Sequence, residues 1–104
     1  MTELAGHSNG AFMPVGEALM YAERCRSEGR LAEAEAVCRQ IVQAQPDLPE
    51  AEHLLGIIAH QGGRLAEAIE HVQRATRLAP QVALFHANLG EMYRLCLLYT
   101  SRCV

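Results

Sequence analysis

The side chains that could do chemistry in this chain are five histidines, four cysteines and twelve carboxylates. His53 and His60 stand seven residues apart in a stretch of helical periodicity. Two helical turns separate their backbones by roughly 10 Å. A shared metal ion wants ligands about 2 Å away, commonly from side chains about four residues apart on a helix. The pair therefore reads as two solvated histidines. Cys25 and Cys38 fall on facing apolar stripes of one helical hairpin and read as small buried fillers rather than a redox couple. None of the four cysteines stands in a C-x-x-C arrangement, so neither a zinc site nor a disulfide framework is expected, and a reducing cytoplasm is the default. His71 follows Glu67 by one helical turn, and Arg74 follows Glu70 likewise. Both read as exposed helix pairs worth tenths of a kcal/mol. No nucleophile–base constellation and no phosphate loop is present. The chain reads as non-catalytic, with no cofactor and no metal.

The bulk properties point the same way. A chain of 104 residues supports one small domain at most, with a marginal core. Half its residues are hydrophobic and few are aromatic, which suits helices rich in alanine and leucine. The net charge of −3 gives no electrostatic case for nucleic acid or an anionic membrane. No apolar run approaches the ~20 residues that cross a bilayer, and no signal peptide is legible.

The elements that position these side chains repeat. Gly29-Arg30-Leu31-Ala32-Glu33-Ala34 returns 34 residues later as Gly63-Arg64-Leu65-Ala66-Glu67-Ala68. Pro46 and Pro80 keep that offset, as do Leu55-Gly56 and Leu89-Gly90. Residues 1–13 show little periodicity and read as a disordered leader. Pro14 stands where helices start. Ala18, Leu19, Ala22, Cys25 and Arg26 then recur at helical spacing, followed by a stripe of Leu31, Ala34, Val37, Cys38, Ile41 and Val42. Asp47-Leu48-Pro49-Glu50 reads as a capping box with Asp47 as the cap. The third helix turns Leu54, Leu55, Ile58 and Ala59 inward. The fourth uses Leu65, Ala68, Ile69, Val72, Ala75 and Leu78, and the fifth Phe85, Leu89, Met92 and Tyr93. Gly56 sits mid-helix, where glycine costs roughly 1 kcal/mol against alanine, so a neighbouring backbone is expected to come close. Gly90 is expected to repeat that role.

A helix–turn–helix unit with a 34-residue period resembles the tetratricopeptide repeat (TPR) family. The second repeat carries the likeness at Leu55, Gly56, Ala59, Gly63, Leu65, Ala68, Ala75 and Pro80. The first matches at Gly29, Leu31, Ala34 and Pro46, with Tyr21-Ala22 in place of Leu-Gly, and the third begins with Leu89, Gly90 and Tyr93. The resemblance implies an all-α fold, an α-solenoid of about two and a half repeats in five helices. The array would span 14–95, with repeats at 15–48 and 49–82 and a partial repeat at 83–95. It also implies a concave groove, lined by the first helix of each repeat, that holds a peptide or a partner helix. The groove positions fall at Leu19, Glu23, Arg26 and Ser27, then at Glu50, His53, Ile57, His60 and Gln61, then at Ala87, Glu91 and Arg94. Arg26 and Arg94 could pair with a carboxylate. The expected partner is a protein or peptide, with neither nucleic acid nor membrane. An unpartnered fifth helix, with Leu89 and Met92 partly exposed, could drive self-association through residues 83–95. The alternative reading makes the chain the N-terminal repeat region of a larger bacterial enzyme, similar to protein O-GlcNAc transferases or TPR-linked sulfotransferases. An asparagine ladder lines the groove of the former family. Here only Asn88 takes such a place, with Met20 and Leu54 at the equivalents.

The period fails at the end. Residues 96–104, Cys-Leu-Leu-Tyr-Thr-Ser-Arg-Cys-Val, resemble the translation of an inverted dimer of the mosaic-end adaptor used in transposase-based sequencing libraries. On that reading the tail is non-native and further repeats follow in the natural gene. A divergent capping segment is the other reading.

Overall fold

The computed structural model describes residues 3–5 and 12–99. They form strands β1 (Glu3–Ala5) and β2 (Phe12–Pro14) and helices α1 (Val15–Ser27), α2 (Leu31–Ala44), α3 (Pro49–Gln61), α4 (Leu65–Leu78) and α5 (Ala83–Tyr99). The five helices are those expected, in the all-α class. Two units divide the chain, Met1–Asp47 and Leu48–Val104. The division falls at the boundary between the first two sequence repeats.

In the first unit α1 and α2 form a helical hairpin, with Ala18, Ala22, Cys25, Ala34, Val37, Cys38 and Ile41 buried. The Tyr21 hydroxyl donates to Glu33 and ties the two helices together. The leader departs from expectation. Glu3–Ala5 pairs antiparallel with Phe12–Pro14, Leu4 opposite Met13, and the pair packs on α1 and α2. Two short apolar runs flanking a glycine- and asparagine-bearing stretch have the composition of a strand pair joined by a turn. The remainder of the leader, residues 1–2 and 6–11, lies outside the described residues.

The repeated hexapeptide builds the same turn twice. Gly29 and Gly63 adopt φ of 84° and 83°, left-handed backbone that glycine enters without steric cost. The Arg30 amide donates to the Cys25 carbonyl and the Gly29 amide to Arg26. The Arg64 amide does the same to Ala59, and Gly63 to His60. Each is a Schellman closure, which satisfies the last carbonyls of the helix. The arginine that follows turns onto the next helix, Arg30 to Glu33 at 2.9 Å and Arg64 to Glu67 at 3.2 Å. The Gly63→Ala variant is expected to lose about 1 kcal/mol in chemical denaturation, because a Cβ crowds left-handed backbone.

In the second unit α4 packs against both α3 and α5. Ala59, Ala68, Ile69, Val72, Met92 and Cys96 form one buried cluster, flanked by Ile57, Leu65 and Leu89. Ala75, Ala79 and Phe85 form a second, with Val82 against it. The glycine at 56 admits α4. A Cβ there would stand 2.4 Å from Val72 Cγ2 and 3.1 Å from the Ala68 carbonyl. Gly90 does not repeat this role, since a Cβ built on it meets nothing within 4 Å. Among the described residues no helix follows α5 to occupy the place that α4 takes over α3.

Other expectations shift in detail. The cap of α3 is Leu48, not Asp47, and no side chain closes it. Pro49 fixes the first helical φ, so the helix begins one residue later than a capping box would place it. The Leu48 carbonyl receives the Ala51 amide at 3.2 Å. Leu78 is exposed and its neighbour Ala79 is buried. Met92 is 2% exposed rather than partly exposed, because α4 covers it, while Leu84, Leu97 and Leu98 carry the exposed apolar surface of α5. The start of the anomalous tail, Cys96–Tyr99, continues α5. Residues 100–104 lie outside the described residues.

The cysteines divide into two kinds. Cys25 and Cys38 are free and buried. Burial pushes the Cys38 thiol up to about 12, with the nearby carboxylates Glu23 and Glu35 adding to it. A thiol held protonated is a poor nucleophile. Cys38 is therefore expected to resist an aromatic disulfide reagent at pH 8 in the native chain and to react on unfolding, as read by mass spectrometry of the labelled peptide. Cys96, in contrast, is disulfide-bonded, where the cysteine spacing predicts no disulfide framework.

Candidate functional site

The second unit presents two neighbouring helix faces, one from α3 and one from α5, whose side chains meet. Asn88 Nδ2 lies 2.7 Å from His53 Nε2. An amide nitrogen only donates, so His53 accepts at Nε2 and carries its proton on Nδ1. The imidazole also lies on Phe85, ring centroids 4.6 Å apart and tilted by 35°. One histidine is thus held by an amide at its edge and an aromatic at its face. Further along the same helices, Glu91 and Arg94 form an ion pair at 2.5 Å. The hydrogen bond from Arg94 holds the Glu91 carboxyl below its usual range, and the nearby His60 lowers it further.

Of the expected groove residues, His53 meets α5 through Asn88 and Phe85, and His60 lies near enough to Glu91 to act on its carboxylate. Ile57 is half-buried against the apolar cluster. Glu50, Gln61 and Ala87 are exposed on the same two helices. His53 and His60 therefore have separate partners, as two turns of helix require.

The first unit carries its own four positions on α1. Arg26 hydrogen-bonds Glu23 one turn earlier, and this raises the Arg26 pKa. Ser27 Oγ donates to the Arg24 carbonyl at 2.9 Å. Leu19 is half-buried. Arg26 and Arg94 each hold a carboxylate of their own helix, so an incoming carboxylate must compete for either one.

Sequence reasoning missed a buried polar pair between α3 and α4. His71 is 8% exposed and Glu52 5%, against the expectation of a surface Glu67–His71 pair. His71 Nδ1 lies 2.9 Å from Glu52 Oε1, while its Nε2 is 4.0 Å from Glu67 Oε2. A carboxylate accepts, so Nδ1 carries the proton in this bond. Arg74 Nη1 stands 3.6 Å from Glu52 Oε1, which brings a cation to the buried carboxylate from the solvent side. A signal was available. One period earlier the equivalents are Ala18 and Val37, both apolar, which marks these as core positions.

Comparison with known proteins bears on what these faces do. A family model described as a tetratricopeptide repeat matches residues 26–90. Among solved structures, the chain is similar to an O-GlcNAc transferase of Thermobaculum terrenum, solved as a point mutant, with 32% identity and a TM-score of 0.71. That likeness covers 75% of this chain and 15% of the transferase, so the chain spans a small part of that enzyme's length. A search of curated proteins finds no match.

Proposed function

The chain belongs to the tetratricopeptide repeat family, and from that premise we propose that it is a non-catalytic scaffold whose exposed α3 and α5 faces bind an extended peptide or a partner helix. Repeats of this family mediate interaction between proteins. The carrying observation is the convergence of side chains from successive repeats: His53 with Asn88, and His60 near Glu91. Residues far apart in sequence supply one continuous polar face, with half-buried Ile57 beside it. The α1 positions Leu19, Glu23, Arg26 and Ser27 form a further binding face in their own unit. The reading places the chain in a bacterial cytoplasm, away from nucleic acid and membrane. In keeping with this, no helix among the described residues is long and apolar enough to cross a membrane.

The test is selection of peptides from a random display library on the native chain, followed by affinity measurement. The His60→Ala and Arg94→Ala variants are expected to weaken a selected peptide about tenfold each, with helicity unchanged. Peptides indifferent to both substitutions would place binding elsewhere.

A second reading is favoured by the likeness to the Thermobaculum enzyme. In it, the chain is the repeat region of a larger transferase and presents protein substrate to a catalytic domain. Sequencing the uninterrupted gene decides it. A glycosyltransferase domain downstream supports this reading, and an open frame of repeats alone removes it.

A further inference from the structure

We infer that two copies of this chain pair through the outer face of α1, antiparallel, with Glu17 of each copy set against Arg24 of the other. Glu17, Met20, Tyr21 and Arg24 line a shallow cavity of about 220 Å³ on that face. Met20 is 72% exposed, and Glu17 and Arg24 are exposed beside it. One period later the same four positions hold Ala51, Leu54, Leu55 and Ile58, all buried. In this repeat they are contact positions, and α1 fills them with methionine, tyrosine and arginine, types enriched where proteins meet.

The charges say what completes the contact. Glu17 and Arg24 stand seven residues apart, so two helical turns hold their backbones roughly 10 Å from one another. Neither side chain has an ion pair or a hydrogen bond among the described residues. A partner that satisfies both must carry a cation and a carboxylate at that same spacing, in reversed order, with apolar surface between them. An antiparallel copy of α1 meets all three conditions.

The helix angles agree. Glu17 and Arg24 lie within about 20° of one another around α1, with Met20 and Tyr21 about 50° to either side of the line between them. A two-fold axis level with the midpoint of Met20 and Tyr21, perpendicular to both helices and to the line joining them, reverses height but keeps each residue on its flank. Each Glu17 therefore meets Arg24 of the second copy. Met20 meets its own counterpart on one flank, and Tyr21 meets its own on the other. The Tyr21 hydroxyl is already tied to Glu33, which fixes the ring before pairing. The interface is isologous and closes at two copies.

Nothing else on α1 competes for this face. Ala18, Ala22 and Cys25, which are buried in the hairpin with α2, point about 90° or more away from it. Leu19, Glu23 and Arg26, of the proposed peptide-binding face, point more than about 100° away. Pairing and peptide binding can proceed together.

Sedimentation equilibrium of the full chain over a range of concentrations tests this. A weak monomer–dimer equilibrium is expected, since one helix face per copy is a small interface. Arg24→Glu and Glu17→Arg each set like charges together at both ends. Each is expected to raise the dimer dissociation constant at least about tenfold with helicity unchanged. An equimolar mixture of the two variants is expected to recover the dimer, because every end then joins a carboxylate to a guanidinium. Met20→Cys, beside the axis, is expected to be captured as a covalent dimer under mild oxidation, and Ala32→Cys, exposed on α2, is not. A chain monomeric at every concentration overturns the proposal. So does a dimer that ignores both charge reversals, as pairing through α5 would, and so does a mixture of the variants that stays monomeric.

Discussion

The Gly56→Ala variant is expected to be less stable than the native chain by about 1–2 kcal/mol, and Gly90→Ala more stable by about 1 kcal/mol. The opposite signs come from identical local sequence, Leu-Gly, in two helices of the same register. In a helix interior alanine is better than glycine by about 1 kcal/mol. At Gly90 nothing among the described residues opposes that gain, since outside its own stretch of helix none comes within 4 Å of the added carbon. At Gly56 the new carbon meets a buried valine methyl at 2.4 Å and a backbone carbonyl at 3.1 Å. Val72 is β-branched and fully buried, so it cannot swing away. Overpacking of this kind costs ~1–3 kcal/mol, which exceeds the propensity gain. Urea denaturation measures both. A stabilised Gly56→Ala chain would show that α4 is free to retreat from α3.

The second large effect lies in the polar pair beneath that contact. Glu52→Ala is expected to cost about 2 kcal/mol, within the range for removing the partner of a buried hydrogen-bonding group. The loss removes the acceptor 2.9 Å from His71, which is 8% exposed, and leaves it Arg74 Nη1 at 3.2 Å and Glu67 Oε2 at 4.0 Å. Arg74 moderates the loss, because its guanidinium is half-exposed and turns to water when the carboxylate is gone. Replacing both partners, Glu52→Leu with His71→Leu, is expected to return stability to within about 1 kcal/mol of native, since an apolar pair leaves no group unsatisfied. The same denaturation series reads the single and double variants. A double variant as unstable as the single one would mean the pair contributes through something other than its own desolvation.

How much of this was legible beforehand differs by feature. The helices were, because the hexapeptide at Gly29 and Gly63 dictates its turn through bonds contained within it. The burial of Val37, Ile41, Ile58 and Val72 followed from their spacing alone. The environment of Gly90 did not, because a glycine's role belongs to whatever packs on it, and Leu89-Gly90 reads the same with or without a covering helix. His71 was misread as a surface partner of Glu67 because the turn spacing within α4 is visible in sequence, while its partner on α3, Glu52, is nineteen residues away. The leader's strand pair escaped notice since three-residue strands leave almost no periodic trace. In the candidate site, the seven-residue spacing of His53 and His60 was legible as two separate positions. Their actual neighbours, Phe85 and Asn88 for His53, required the fold.

The buried carboxylate and imidazole also act as a mating code. Because the turns at Gly29 and Gly63 are interchangeable, an in-frame loss of residues 30–63 would rejoin α1 to α4 through an intact Gly-Arg corner. The chimera would nevertheless seat His71 opposite Ala18, and the reciprocal marriage of α3 with α2 would seat Glu52 opposite Val37. Either exchange strands one ionisable group in a dry seam. Duplication and recombination can therefore copy whole hairpins of this chain with little consequence, but they cannot shuffle its helices singly.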